Sequence, residues 1–124
     1  MKDKKWWHIR YFFKSGHNAL IVDEDNSNGK DRYHYMDITT SPSKKESYIR
    51  LSKPINKKSD VSYVRKYVGN DYKKKFSSWI SKYEIDNEDM DKIELYLKNR
   101  NKNNNNSKKE NIKTKKRKKK KYKY

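Results

Sequence analysis

The segment ITTSPSKKESYIRL, Ile38 to Leu51, gathers residue types that can handle phosphate. Thr39, Thr40 and Ser41 bring three hydroxyls to the end of a strand-like run, and Pro42 pins the turn. Lys44 and Lys45 follow, and Arg50 projects from the next run. Hydroxyls and cations converging near a strand end can hold a phosphodiester and stabilise charge growing on its oxygens. RNA supplies its own nucleophile, the 2′-hydroxyl, so the protein needs only a base, a positioning group and a cation. The same residues also suit an ordinary Ser/Thr turn that satisfies its own backbone.

Other chemistry finds little support. The chain has no cysteine, which excludes disulfides and thiolate metal sites. His8, His17 and His34 sit on separate segments, with no His pair at helical spacing beside a carboxylate, so no metal site is expected. Gly16, Gly29 and Gly69 are too scattered for a phosphate-binding loop or a dinucleotide fingerprint, and no cofactor is expected. The acidic run DNED, residues 86–89, reads as charge at a helix start rather than as general acids.

These groups must be positioned by a small scaffold. In WWHIRYFF, Trp7, Ile9, Tyr11 and Phe13 alternate against Trp6, His8, Arg10 and Phe12, as a strand requires. NALIVDED is apolar enough for a central strand, and NSNGKD suits positive backbone angles. RYHYMDIT sets Tyr33 and Tyr35 against His34, Met36 and Ile38; SYIRLSK and VSYVRKYV complete five strands, with NKKSD as a break. The period then changes. Tyr72, Phe76, Trp79, Ile80 and Tyr83 form one helical stripe, with Asn70 or Asp71 as N-cap. A second helix starts at DNED and runs through Met90, Ile93 and Leu97. The expected fold is α+β: a strongly bent antiparallel sheet or small barrel of about five strands, followed by two C-terminal helices. Residues 1–100 form this domain. Residues 101–124 form a disordered Asn/Lys-rich tail, in which KKRKKKK could serve as a localisation signal or a nucleic-acid-binding arm.

Charge points to the partner. The chain carries a net charge of +18. Residues 1–100 hold 22 basic against 15 acidic residues, and the tail holds 12 against one, so the body is basic in its own right. A polyanion is the natural partner, nucleic acid ahead of anionic membrane. RNA is favoured over DNA because tyrosines have basic neighbours and the second helix is acidic at the end that would enter a major groove. Arg50, Arg65 and Lys66 would line the approach, and Tyr33, Tyr35 or Tyr63 could stack on unpaired bases. No segment is long and apolar enough to span a bilayer, and His8 and Arg10 interrupt the apolar start, so an intracellular, cytoplasmic protein is expected. Two further classes fit: a non-catalytic accessory protein of a mobile element or ribonucleoprotein, and an interaction module for an acidic protein.

GHNALIVDEDNSNGKDRYHYMDITTSP resembles the centre of the PemK/MazF-like endoribonuclease toxins, in particular their ToxN/AbiQ branch. There, a hydrophobic strand follows a Gly-containing turn, an acidic polar loop comes next, and a second strand runs into a Thr-Ser-Pro-Lys motif. Thr40-Ser41-Pro42 matches that form, with Ser43 at the lysine position and lysine one place later at Lys44. The likeness spans residues 16–52. It implies an SH3-like β-barrel with added helices, metal-independent RNA cleavage leaving a cyclic phosphate, and inhibition by an antitoxin RNA or protein. It also implies that Thr40, Ser41 and Lys44 position and stabilise the scissile phosphate.

Overall fold

The computed structural model describes residues 2–55 and 61–114, with residues 101–114 described by their backbone. The chain divides into two units, Met1–Lys92 and Ile93–Tyr124. The first carries an antiparallel sheet of β1 (His8–Phe12), β2 (His17–Asp25), β3 (Arg32–Thr39), β4 (Tyr48–Arg50), β5 (Tyr63–Arg65) and β6 (Gly69–Tyr72). The order is β1-β2-β3-β5-β4, with β6 also paired to β3. One edge of β3 serves two partners: Arg32 through Tyr35 take β6, while Ile38 and Thr39 take β5. The five expected strands are therefore joined by a sixth, and among the described residues they form an open sheet.

Both faces of the sheet bury apolar side chains, which explains why Ala19 to Val22 are apolar without alternation. Ile9, Leu20 and Met36 pair across β1, β2 and β3 on one face, each at most 2% exposed. On the opposite face Phe12, Ala19, Ile21, Tyr33 and Phe76 form an aromatic cluster, with Trp6 and Tyr35 packed against it. β6 can lie against this cluster because residue 69 is glycine. A Cβ there would fall 2.6 Å from Cζ of Tyr35, whose ring is already held 4.7 Å from Phe12 and 5.3 Å from Phe76. The loop after β2 has Asn28, Gly29 and Asp31 at positive φ, as NSNGKD suggests.

The helix expected from the Tyr72–Tyr83 stripe does not form. Residues 69–72 are β6, Lys73–Lys75 make a single 3₁₀ turn, and Phe76 bridges Phe12. The following segment lies along the outer edge of β1: Phe13 N–H donates to Lys75 O (3.1 Å), Ser77 N–H to Tyr11 O (2.8 Å) and Ser81 N–H to Ile9 O (2.8 Å). Only Phe76 of the stripe is fully buried, while Tyr72, Trp79 and Ile80 are 42%, 59% and 56% exposed. Aromatic and β-branched residues are indifferent helix formers, and the open edges of β3 and β1 offered their backbone a better set of partners.

The single α-helix among the described residues, α1 (Asn87–Thr114), begins as expected with Glu88 and Asp89 in its first turn. It continues into the Asn/Lys-rich segment as far as Thr114. KKRKKKK and NKKSD lie outside the described residues. Ser62 ties the two flanks of residues 56–60 together, its Oγ accepting from Ile55 N–H (2.8 Å) and its carbonyl from Leu51 N–H (2.9 Å).

Candidate nucleic-acid interface

The aromatic-cluster face becomes polar toward the C-terminal end of β3. Side chains two apart on a strand share a face, so Tyr35, Asp37 and Thr39 follow Tyr33 onto it. Cross-strand pairing brings neighbours to the same side: Tyr63 opposite Thr39, Arg50 opposite Tyr63, and Arg65 opposite Tyr48. His17, opposite Phe12, lies on this face of β2. Arg50, Tyr63, Arg65 and Tyr35, four of the residues expected at a nucleic-acid site, thus come onto one face together with Asp37 and His17.

Asp37 is the electrostatic centre of this region. Burial raises its pKa, and the charges of His17 and Arg65 and a hydrogen bond from Ser15 only partly oppose that. Its Oδ1 is buried and accepts no hydrogen bond among the described residues. The Tyr35 hydroxyl is also pushed up, first by burial and then by the negative charges of Asp37 and Asp71. A carboxyl that holds its proton above the ordinary range, near an imidazole and a guanidinium, can exchange protons and balance anionic charge. The raised value means that the folded state binds this proton more tightly than the unfolded chain. The stability linked to it is complete below the ordinary carboxylate range and is lost as pH rises through the folded-state pKa. Asp37→Asn is therefore expected to raise the melting temperature at pH 7 and to lose that advantage near pH 3. Thermal unfolding of both proteins across this range provides the check.

The Thr40–Ser41–Lys44 turn is exposed beyond the end of β3. Ser41 N–H donates to Thr39 Oγ1 (3.2 Å), so the turn satisfies part of its own backbone, as the plainer sequence reading has it. Lys44 is exposed and precedes the 3₁₀ turn Lys45–Ser47, its carbonyl accepting from Ser47 N–H at 3.0 Å. Thr39 and Thr40 also line a small cleft of about 140 Å³ with Tyr11, His17, Asn18 and Ser62. Lys66 is exposed, and its N–H donates to Ser47 O at 2.8 Å.

Burial redistributes the aromatic roles. Tyr33 and Tyr63 are each only 9% exposed, and Tyr35 is wedged in the aromatic cluster, so the three tyrosines expected to stack on bases have little face to offer. Two exposed rings elsewhere, Tyr72 and Tyr67, carry cations. Arg32 lies 4.0 Å from the centroid of Tyr72, with Lys74 at 5.7 Å, and Arg65 lies 5.0 Å from Tyr67.

The strand pattern of RYHYMDIT already places Asp37 with Tyr33 and Tyr35, and a carboxylate on an inward-facing position is the signal that could have singled it out. His17 had no such signal, because only the β1–β2 register sets its side. His8 is fixed as a neutral ring. Arg10 Nε–H donates to its Nε2 (3.0 Å), so Nδ1 carries the hydrogen and donates to Trp6 O (3.0 Å), while burial lowers its pKa. Among the described residues, no group of three His, Asp or Glu side chains is placed to hold a metal ion. Among the described residues no helix is long and apolar enough to cross a membrane. No family model matches the chain, and neither does any curated protein or solved structure.

Proposed function

We propose that this protein binds nucleic acid, with RNA favoured, through the polar end of the sheet face that carries Arg50 and Arg65. The observation that carries the reading is that these two arginines share a sheet face with Asp37 and His17, with Arg65 also over the exposed Tyr67 ring, on a body that is itself basic. Arginine presents a fork of donors to phosphate, and the neighbouring rings favour a strand whose bases are unpaired. The basic tail adds affinity without sequence preference.

A second reading has its own support in Asp37 and His17. A proton acceptor, an imidazole and two guanidiniums beside the Thr39–Thr40 strand end are the parts needed for attack of a 2′-hydroxyl on its adjacent phosphorus. The base takes the hydroxyl proton, the arginines balance charge on the phosphoryl oxygens, and an acid returns a proton to the leaving 5′-oxygen. Under this reading the chain is a toxin-like, metal-independent endoribonuclease, and the sheet with residues 75–81 along β1 is a variant of an SH3-like barrel.

The test uses the full chain. Arg50→Gln with Arg65→Gln should weaken binding to oligouridine about tenfold and reduce the salt slope by about 1.4, or roughly 0.7 per lost phosphate contact. Unchanged affinity and slope would reject this face as the interface. Incubation with RNA under chelation, followed by end-group analysis, separates the two readings. Cyclic phosphate ends that vanish in His17→Ala and Asp37→Asn support the enzyme, whereas intact RNA leaves a binding protein.

A further inference from the structure

Phe13 and Trp79 are large apolar side chains held in water, at 53% and 59% exposure. They come from opposite sides of a backbone junction and meet edge to face, with ring centroids 6.0 Å apart and planes at 79°. Tyr11 extends the row, 5.4 Å from Phe13. Their exposure is built in by the surrounding hydrogen bonds. Ser77, itself 2% exposed, accepts from Tyr11 N–H through Oγ (3.0 Å) and donates from Oγ to Trp79 O (2.7 Å). Arg10 Nη1 donates to the carbonyls of Ser77 (3.0 Å) and Ser78 (3.2 Å), fixing the bend that turns Trp79 outward. Phe13 is fixed by its N–H to Lys75 O at 3.1 Å.

The chemistry around the rings identifies the occupant. Lys14 is adjacent to Phe13, Lys75 is bonded to its backbone, and Lys74 and Lys82 flank the same segment; all four lysines are exposed. An apolar protein partner gains little from a lysine fence, whereas a strand with an anionic backbone and flat, uncharged bases matches both features. We infer that the Phe13–Trp79 step is a platform on which unpaired bases of a single-stranded nucleic acid stack while Lys14 and Lys75 meet the flanking phosphates. This rests on the nucleic-acid reading above and specifies its substrate class: single strands rather than duplex. Base pairs in a helix stack on each other and offer these rings no free face.

The experiment compares Trp79→Ala, Phe13→Ala and Trp79→Phe in the full chain, using labelled oligouridine and an RNA duplex of equal length. Stacking on one ring is expected to contribute about 10-fold to affinity. Trp79→Ala and Phe13→Ala should therefore each lose about that factor for the single strand, with duplex affinity and salt slope unchanged. Trp79→Phe should keep most of the affinity while removing the component of tryptophan quenching that oligouridine produces in the parent protein. Equal losses on single strand and duplex, or no loss on either, overturn the platform while leaving nucleic-acid binding in place. Failure of the parent protein to bind either probe overturns both inferences. Quenching by polyglutamate equal to that by oligouridine overturns the assignment of bases as the occupant.

Discussion

Phe76→Ala is expected to lower the unfolding free energy by about 3–5 kcal/mol, the usual range for truncating a buried aromatic ring. Phe76 is 4% exposed and stacks on Phe12 at 4.4 Å with planes 11° apart; its centroid also lies 5.4 Å from Tyr33 and 5.3 Å from Tyr35. Removing it opens the aromatic cluster and takes away a ring contact of both Tyr33 and Tyr35. Domains of this size have about 5–15 kcal/mol of stability in total, so the loss is a large fraction of it. Denaturant unfolding measures the loss, and the same experiment on Tyr72→Ala and Ile80→Ala supplies the contrast. A helix buried along its stripe would make the three substitutions comparably damaging. In the sheet arrangement the exposed pair costs much less than Phe76, and equal losses would contradict the strand pairing of residues 69–77.

Asp89→Ala is expected to cost about 2–4 kcal/mol, because a buried charged acceptor of two hydrogen bonds is lost. Asp89 is 1% exposed in the first turn of α1. Its Oδ2 accepts from Ser52 N–H at 2.8 Å and from Ser52 Oγ at 2.7 Å, tying the helix start to the chain leaving β4. Lys92 Nζ stands 3.6 Å from Oδ1, and the amide dipoles of the first helical turn add further compensation for the carboxylate. Alanine leaves the Ser52 N–H without its acceptor and loses the bridge. Asp89→Asn keeps an acceptor oxygen and should lose less, while Ser52→Ala removes one of the two bonds and should cost about 1 kcal/mol. The Asp89→Ala/Ser52→Ala pair should be non-additive by about the 1 kcal/mol of the hydroxyl bond, and additivity in a double-mutant cycle would show that this bond is not a stabilising one.

Local patterns were readable because they are properties of consecutive residues. The alternation of HIRYF, the unbroken apolar run Ala19 to Val22, the left-handed loop around Asn28 and Gly29, and the acidic helix start at Glu88 and Asp89 all appear where the residue order puts them. The stripe of Tyr72, Phe76, Trp79 and Ile80 was equally regular and yet misleading. A helix would bury it along one face. An extended segment buries Phe76 alone and turns the rest outward, and periodicity cannot distinguish the two when open strand edges are nearby. The candidate site suffered the same ambiguity. Arg50 and Arg65 could be named from their basic character, but Asp37 and His17 become their neighbours only through the register of strands far apart in the chain.

By itself the sequence determined the basic charge of the body, the absence of cysteine chemistry, the β-rich first half and the start of the helix, since each depends on composition or on neighbours along the chain. Tertiary structure alone decided that residues 69–72 add a strand and that Tyr33 and Tyr63 are buried while Phe13 and Trp79 face water. It also decided that an acid, an imidazole and two arginines share one face. The physical reason is that backbone donors and acceptors on strand edges must find partners, and which distant segment supplies them is settled by the packing of the whole sheet.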